Sequence, residues 1–213
     1  MKYSLIIFDW DGTLMDSLDK IVTSVKNASL ATGLSAPSTE AIRNIIGLSL
    51  DTAMQRLFPN ESIQKQTTVA DAYRHEFRSN NVPMPFYTGI KNWLTELKAQ
   101  GYQLAVATGK GRNGLDRVLK ENDVADLFAI TYSAEQAKSK PDPLMLHNIL
   151  TELDVPAESA LMIGDSSYDL EMANNAGVDC IGVNYGVHSV EVLSKFSPVA
   201  IVSDLPRELG AYI

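Results

Sequence analysis

Residues 5–13 read LIIFDWDGT, a short apolar run that leads directly into two aspartates, Asp9 and Asp11. A continuous apolar run of this length is typical of a buried strand. Because side chains alternate along a strand, Asp9 and Asp11 are expected on one face and Trp10 on the other. Two adjacent carboxylates repel each other unless a cation lies between them or one holds a proton. The stretch therefore indicates a cation site at a strand end, or a plain turn, since Asp-Gly is a common turn sequence.

Five more apolar runs follow the first and indicate a parallel sheet. Together the six runs cover residues 3–8, 102–108, 128–133, 160–165, 180–185 and 199–202. The helix-length segments between them predict βαβ units with helices on both faces of the sheet. We expect an α/β fold with a Rossmann-like parallel sheet core. In such folds ligands bind beyond the carboxyl ends of the strands, so the polar residues that follow the runs are candidate site residues.

The stretch between the first and second runs is too long for a simple crossover, which needs only about a dozen residues. It contains helical patterns at 17–33, 38–47, 50–57 and 61–79, and prolines at 80–89 indicate an extended linker. We therefore predict an inserted helical cap subdomain over residues 15–83. Residues 1–14 and 84–213 are expected to form the α/β catalytic core.

The composition excludes several classes of partner. The formal net charge of −8 argues against nucleic acid or an anionic membrane. No segment approaches the ~20 apolar residues of a membrane span, and the first ten residues lack a signal-peptide pattern. The single cysteine, Cys180, lies in an apolar run and is expected to be a buried small side chain in a reducing compartment. We expect a cytoplasmic protein, either a monomer or a homodimer.

A second pair of aspartates follows the apolar run at 160–165. In GDSSYDLEMANNAG, residues 164–177, Asp165 ends the run and Asp169 comes four residues later, where a helix is expected to begin. One helical turn would bring Asp169 back toward Asp165, although Asp169 could equally serve as a helix cap. Together with Asp9 and Asp11, these residues would make an oxygen-rich site suited to Mg²⁺.

A glycine-rich turn follows the run at 102–108. The sequence VATGKGRNG, residues 106–114, offers the Thr108 hydroxyl and the backbone N–H groups around Gly109 to a phosphate. The order of residues does not match the nucleotide-binding pattern GxxxxGK[ST]. A glycine-rich turn is weak evidence by itself.

Lys140 lies in KSKPDP, residues 138–143, directly before a proline that restricts its backbone. Asp142 is expected to cap the next helix, with Pro143 at the first helical position. Lys138 and Lys140 are open to two interpretations, as solvated surface charges or as cations that face the carboxylate cluster.

The order of these motifs, DxDGT, then Thr-Gly, then Lys-Pro, then GDxxxD, resembles the haloacid dehalogenase-like superfamily. More narrowly, it is similar to the phosphoglycolate phosphatase type, which has a helical cap after the first motif. The resemblance spans nearly the whole chain. The matching residues are Asp9, Asp11, Gly12, Thr13, Thr108, Lys140, Gly164, Asp165 and Asp169.

The resemblance implies a Mg²⁺-dependent phosphatase that acts on small phosphorylated metabolites, with phosphoglycolate-like esters as the expected class. It assigns Asp9 as the nucleophile that forms an aspartyl-phosphate, and Asp11 as the residue that gives and takes the proton. Thr108 and Lys140 are assigned to binding the transferring phosphoryl group.

The resemblance also implies a ligand set for Mg²⁺. The carboxylate of Asp9, the backbone carbonyl of Asp11 and the carboxylate of Asp165 would hold the ion, and Asp169 would support them without direct contact. Gly109, Lys110 and Arg43 are candidate substrate-binding residues, with Arg43 facing a second anionic group. Two alternatives stay open at this point: a sugar phosphomutase of the same superfamily, and a catalytically idle binding or regulatory module on the same fold.

Overall fold

A computed structural model describes residues 2–213 of the chain, and its central element is a six-stranded parallel sheet. The strand order is β3-β2-β1-β4-β5-β6. Each strand falls on a predicted apolar run and ends within two residues of the expected position, so the predicted α/β fold is confirmed. The strands are β1 (Leu5–Phe8), β2 (Gln103–Ala107), β3 (Ile130–Tyr132), β4 (Ala160–Gly164), β5 (Asp179–Val183) and β6 (Ala200–Val202).

Ten α-helices accompany the sheet in the described part of the chain. They are α1 (Leu18–Ala31), α2 (Thr39–Arg43), α3 (Leu50–Leu57), α4 (Ile63–Ser79), α5 (Ile90–Ala99), α6 (Arg112–Glu121), α7 (Leu144–Leu153), α8 (Ser167–Ala176), α9 (Val190–Leu193) and α10 (Leu205–Glu208). Within residues 2–213, none of them has both the length and the apolar character that a membrane crossing requires.

The sheet is covered on both faces, which explains why its strands are largely apolar. Ile6 and Phe8 belong to the cluster beneath α5 and α6, whereas Leu5 and Ile7 belong to the cluster beneath α7 and α8. Trp10 continues the first face, with its ring 5.8 Å from Phe86 and 6.1 Å from Phe128. The strand alternation therefore turns the indole away from the face that carries Asp9.

Helices α1 to α4 lie between β1 and α5 and enclose a hydrophobic cluster of their own. The chain enters and leaves this helical segment through two neighbouring stretches of backbone that are hydrogen-bonded to each other. Asp16 N donates to Pro85 O at 2.8 Å, and Tyr87 N donates to Leu14 O at 3.0 Å. The segment is therefore joined to the sheet region by a paired connection.

Two helix boundaries differ from the predictions. The pattern at 38–47 predicts one helix, but α2 ends at Arg43. Beyond it the backbone tightens into i to i+3 hydrogen bonds, as from Ile46 N to Arg43 O at 3.1 Å, and Gly47 has a φ of +100°. Helix α7 begins at Leu144, one residue later than expected, and Asp142 Oδ1 accepts from Leu144 N at 3.0 Å.

Candidate active site

Three buried aspartates meet at the carboxyl ends of the two central strands. β1 and β4 are parallel neighbours with Phe8 opposite Ile163, so the residues that follow these strands emerge side by side. One carboxylate oxygen from each of Asp9, Asp165 and Asp169 lies within 4.8 Å of the others. The strand geometry thus brings together aspartates that are far apart in sequence.

Asp165 is held in place by the turn that follows β1. Thr13 Oγ1 donates to Asp165 Oδ1 at 3.0 Å, and Val187 N donates to Oδ2 at 2.8 Å. Gly12 has a φ of +87°, and a Cβ at this position would lie 2.3 Å from Asp165 Oδ2. A Cβ at Gly186 would lie 2.2 Å from the same oxygen. The turn and the loop after β5 therefore need glycine for this close approach.

Asp169 acts both as a helix cap and as a member of the cluster. Its Oδ2 accepts from Ser166 N at 3.1 Å and from Ser166 Oγ at 2.6 Å, in a capping box at the start of α8. Its Oδ1 accepts from Lys140 Nζ at 2.6 Å. The two interpretations of Asp169 from the sequence are therefore compatible, because each uses a different carboxylate oxygen.

Lys140 bridges two of the three aspartates. Its Nζ lies 2.8 Å from Asp9 Oδ1 and 2.6 Å from Asp169 Oδ1, and the residue is only 1% exposed. Burial alone would lower the pKa of Lys140, but the charges of Asp169 and Asp9 outweigh it and raise the pKa above its ordinary value. Lys138, in contrast, has a side chain that is 75% exposed. The two carboxylates thus favour the charged form of the Lys140 ammonium.

The carboxylate of Asp9 is buried and only partly satisfied. No hydrogen-bond donor in residues 2–213 reaches its Oδ2. Burial raises the pKa of Asp9 to about 7, with the charges of Asp169 and Asp11 acting in the same direction against that of Lys140. Burial also raises the pKa of Asp165 well above its ordinary value. The negative charges of Asp169 and Asp9 raise it further.

This cluster has the chemistry of a site for a hard divalent cation. Three carboxylates face a single ammonium, which leaves an excess of buried negative charge. Buried carboxylates are costly unless a cation compensates them. The free oxygen of Asp9 and the oxygens of Asp165 are the type of ligand that such cations prefer. The donor set therefore fits a divalent metal, without specifying which one.

A cavity of about 440 Å³ opens in front of Asp9. Asp9, Asp11, Thr108, Gly109 and Lys110 line its sheet side, and residues of α1, α3, α4 and the turn after α2 line the opposite side. The cavity thus lies between the helical segment and the strand ends. The Thr-Gly-Lys turn at 108–110 therefore lines the same cavity as Asp9 and Asp11.

Contacts within the cavity fix Asp11 and Thr108. Asp11 Oδ2 forms an ion pair with Lys110 Nζ at 2.9 Å, and both side chains are largely buried. Thr108 is 1% exposed, and its Oγ1 accepts from Lys110 N at 3.2 Å. A Cβ at Gly109 would lie 2.4 Å from Leu48 O, so the helical segment packs directly on this turn.

Arg43, a candidate substrate-binding residue, contacts the loop after β5 in this structure. Its Nη2 donates to Gly186 O at 2.9 Å, and Arg43 is not among the described residues that line the cavity. The guanidinium therefore links α2 to the loop after β5. Its position in the sequence gave no sign of this, because the contact depends on how the helical segment packs on the sheet.

The sequence profile described as "Haloacid dehalogenase-like hydrolase" matches residues 6–183. The chain belongs to this family. The match includes both pairs of aspartates, the Thr-Gly turn and Lys140. The family expected from the motif order is therefore confirmed.

Relatives of this haloacid dehalogenase-like hydrolase carry phosphatase names. A Dickeya dadantii protein called "Probable phosphatase IndB" is 33% identical over 213 residues, which cover 97% of this chain and 92% of that protein. A Vibrio cholerae protein called phosphoglycolate phosphatase is 28% identical over 211 residues, covering 94% and 93%. A Haemophilus somnus crystal structure, described as a predicted phosphoglycolate phosphatase, is 25% identical with a TM-score of 0.89, covering 100% and 99%.

Proposed function

We propose that this haloacid dehalogenase-like hydrolase is a cytoplasmic, Mg²⁺-dependent phosphatase. Its substrates are phosphomonoesters of small metabolites, and phosphoglycolate is the natural reference ester because relatives carry that name. The observation that carries the proposal is the Asp9 carboxylate, which faces the cavity with one oxygen free and the other held by Lys140.

The residues around Asp9 support a covalent mechanism. Oδ2 of Asp9 attacks phosphorus, a new P–O bond forms, and the bond to the ester oxygen breaks. Asp11 in its protonated form gives its proton to the departing oxygen and becomes a carboxylate. It then takes a proton from the water that attacks phosphorus, and the bond between phosphorus and Asp9 Oδ2 breaks. Phosphate leaves, and Asp9 returns to its starting state.

Two residues are well placed to bind the phosphoryl group through these steps. The Thr108 hydroxyl lies at the end of β2 in the wall of the same cavity. Lys140 keeps Asp9 Oδ1 in an ion pair, and Oδ2 has no hydrogen-bond donor in the described residues. A fixed ammonium beside the nucleophile also offsets charge on the transferring group without reorganisation.

Mg²⁺ would be held by the carboxylates of Asp9 and Asp165 and by the backbone carbonyl of Asp11, with Asp169 in support. When bound, it supplies charge stabilisation for the phosphoryl oxygens. Thr13 and Val187 hold Asp165 in the orientation that such a role requires, because they occupy one lone pair on each of its oxygens.

We assign residues 15–83 as a cap over the catalytic core, which comprises residues 1–14 and 84–213. Several contacts between the two parts favour this assignment. Tyr168 Oη donates to Asn44 O at 2.7 Å, and Ser49 N donates to Ser139 Oγ at 2.9 Å. A cap held by a few polar contacts can open to admit substrate and close to exclude water.

The proposal is tested by incubating purified protein with Mg²⁺ and a panel of phosphate esters, reading released phosphate. We expect turnover by the wild type and none by Asp9→Asn, while Asp16→Asn retains activity as the matched control. Product analysis in the same assay detects a phosphomutase, which would return an isomeric phosphate ester and release little free phosphate. A protein inert to every ester would contradict the proposal.

A further inference from the structure

The cap side of the cavity is mostly apolar, although Ser49, Asp51, Arg74 and Arg78 also line it. Its volume of about 440 Å³ lies within the range of roughly 300–1,000 Å³ that is typical of pockets for small organic ligands. Apolar walls of this kind favour ligands that remove apolar surface from water. Cap residues that form this wall are Ile21, Val25, Ile45, Ile46, Leu48 and Met54.

Two aromatic rings extend this wall to Asp11. Lys110 Nζ lies 2.9 Å from Asp11 Oδ2 and 4.7 Å from the centre of the Phe77 ring. The Phe77 ring centre lies 5.7 Å from that of Tyr73, one helical turn earlier on α4. Both rings line the cavity. The aromatic surface thus begins beside the residue that protonates the leaving oxygen in the proposed mechanism.

The cation beside that oxygen, Lys110, is already engaged, whereas Arg74, Arg78 and Arg117 line the cavity from α4 and α6. Lys110 is engaged with Asp11 at 2.9 Å, and Arg74 with Asp71 at 2.7 Å. A carboxylate that captured Lys110 would leave Asp11 without its partner. Arg43 donates to Gly186 O and is not among the described residues that line the cavity. A two-carbon acid would also leave most of the apolar wall uncovered.

We propose that the substrate is a phosphomonoester whose organic part carries an apolar ring that packs on Tyr73 and Phe77. This inference rests on the proposed phosphatase function and narrows its substrate class. The phosphate faces Asp9, the ester oxygen lies near Asp11, and the ring extends along α4 into the apolar part of the cavity. Phosphoglycolate, in contrast, lacks any group that would occupy this space.

The test compares esters that have similar leaving groups and differ in the ring. Released phosphate is measured with Mg²⁺ for 2-phenylethyl phosphate, ethyl phosphate and phosphoglycolate. We expect kcat/KM for 2-phenylethyl phosphate to exceed each of the other two by about tenfold or more, or about 1.4 kcal/mol. Equal or greater kcat/KM for phosphoglycolate or ethyl phosphate overturns the inference while the phosphatase function stands. If no ester is hydrolysed, the proposed function fails and the inference fails with it.

A substitution at Tyr73 tests where the ring of the substrate lies. In Tyr73→Ser, the ratio of kcat/KM between 2-phenylethyl and ethyl phosphate should fall about tenfold, whereas Tyr212→Ser, outside the cavity wall, should keep the wild-type ratio. Thermal melting checks that each variant is folded, and Tyr73→Gln replaces Tyr73→Ser if the smaller residue prevents folding. An unchanged ratio in the folded Tyr73 variant would refute the assigned position.

Discussion

At the scale of single residues, Lys140 is buried, and its ammonium contacts two of the three buried carboxylates. Removing one partner of a buried ion pair leaves an uncompensated charge, which commonly costs about 3–5 kcal/mol. The neighbouring Lys138 lies on the surface, with a side chain that is 75% exposed. Substitutions at Lys140 and Lys138 therefore compare the effect of removing a buried ammonium with that of removing an exposed one.

We predict that Lys140→Met lowers the free energy of unfolding by a few kcal/mol in Mg²⁺-free buffer and reduces kcat at least a hundredfold. Lys138→Met should change the free energy of unfolding by no more than about 0.5 kcal/mol, as is usual for surface substitutions. Urea denaturation and phosphate release measure the two effects. Similar stability in both variants would show that the ion pairs of Lys140 contribute little.

Some residue roles follow from the sequence and others do not. Strand alternation alone separates Asp9 from Trp10, and the indole is indeed on the other face, with Nε1 3.1 Å from Met15 Sδ. Thr13 belongs to a recognisable motif, but its partner Asp165 is 152 residues away. That contact exists only because β1 and β4 are neighbours in the sheet, and no local pattern specifies this pairing.

At the scale of elements, the turn after β2 and the turn after α2 approach each other closely. A Cβ at Gly109 would lie 2.4 Å from Leu48 O and 2.5 Å from Gly47 O. Backbone atoms at this distance cannot move aside as the end of a flexible side chain would. Glycine at this position therefore allows the helical segment to close on the strand ends.

We predict that Gly109→Ala lowers kcat/KM at least tenfold, because the added methyl group separates the two turns. The matched control is Gly210→Ala, where an added Cβ meets nothing within 4 Å. Activity and thermal melting should be measured together. Wild-type kcat/KM in folded Gly109→Ala would contradict a closed arrangement of these turns during catalysis.

The sequence predicts the strands better than the helix ends. Parallel strands buried on both faces leave continuous apolar runs, so all six are visible in the sequence. The end of α2 is not visible in the sequence, because apolar residues such as Ile45 and Ile46 fit a buried turn as well as a helix. Both are buried in the structure, in the turn that forms part of the cavity wall.

At the scale of the whole molecule, the excess negative charge at the sheet edge should couple metal binding to folding. A ligand that binds only the folded state at a hundred times its Kd adds about 2.7 kcal/mol to the free energy of unfolding. For a domain of this size, that corresponds to a rise in Tm of about 5–10 °C. The buried carboxylates of Asp9 and Asp165 would supply this effect.

We predict that saturating Mg²⁺ raises the Tm of the wild type by several degrees and that of Asp165→Ala much less. Asp126→Ala, which removes an acidic side chain away from the cluster, should keep the wild-type shift. Differential scanning fluorimetry with and without chelator measures all three. An equal shift in Asp165→Ala would place the metal elsewhere.

The central claim is that Asp9 carries the phosphoryl group and Asp11 moves the proton. It is tested most directly with Asp11→Asn and 4-nitrophenyl phosphate, whose leaving group departs without a proton donor. We predict a rapid burst of about one nitrophenolate per enzyme, then slow turnover. Acid quenching during this phase should leave phosphate on Asp9, detected by peptide mass spectrometry. Turnover without a burst, or phosphate on another residue, would contradict the account.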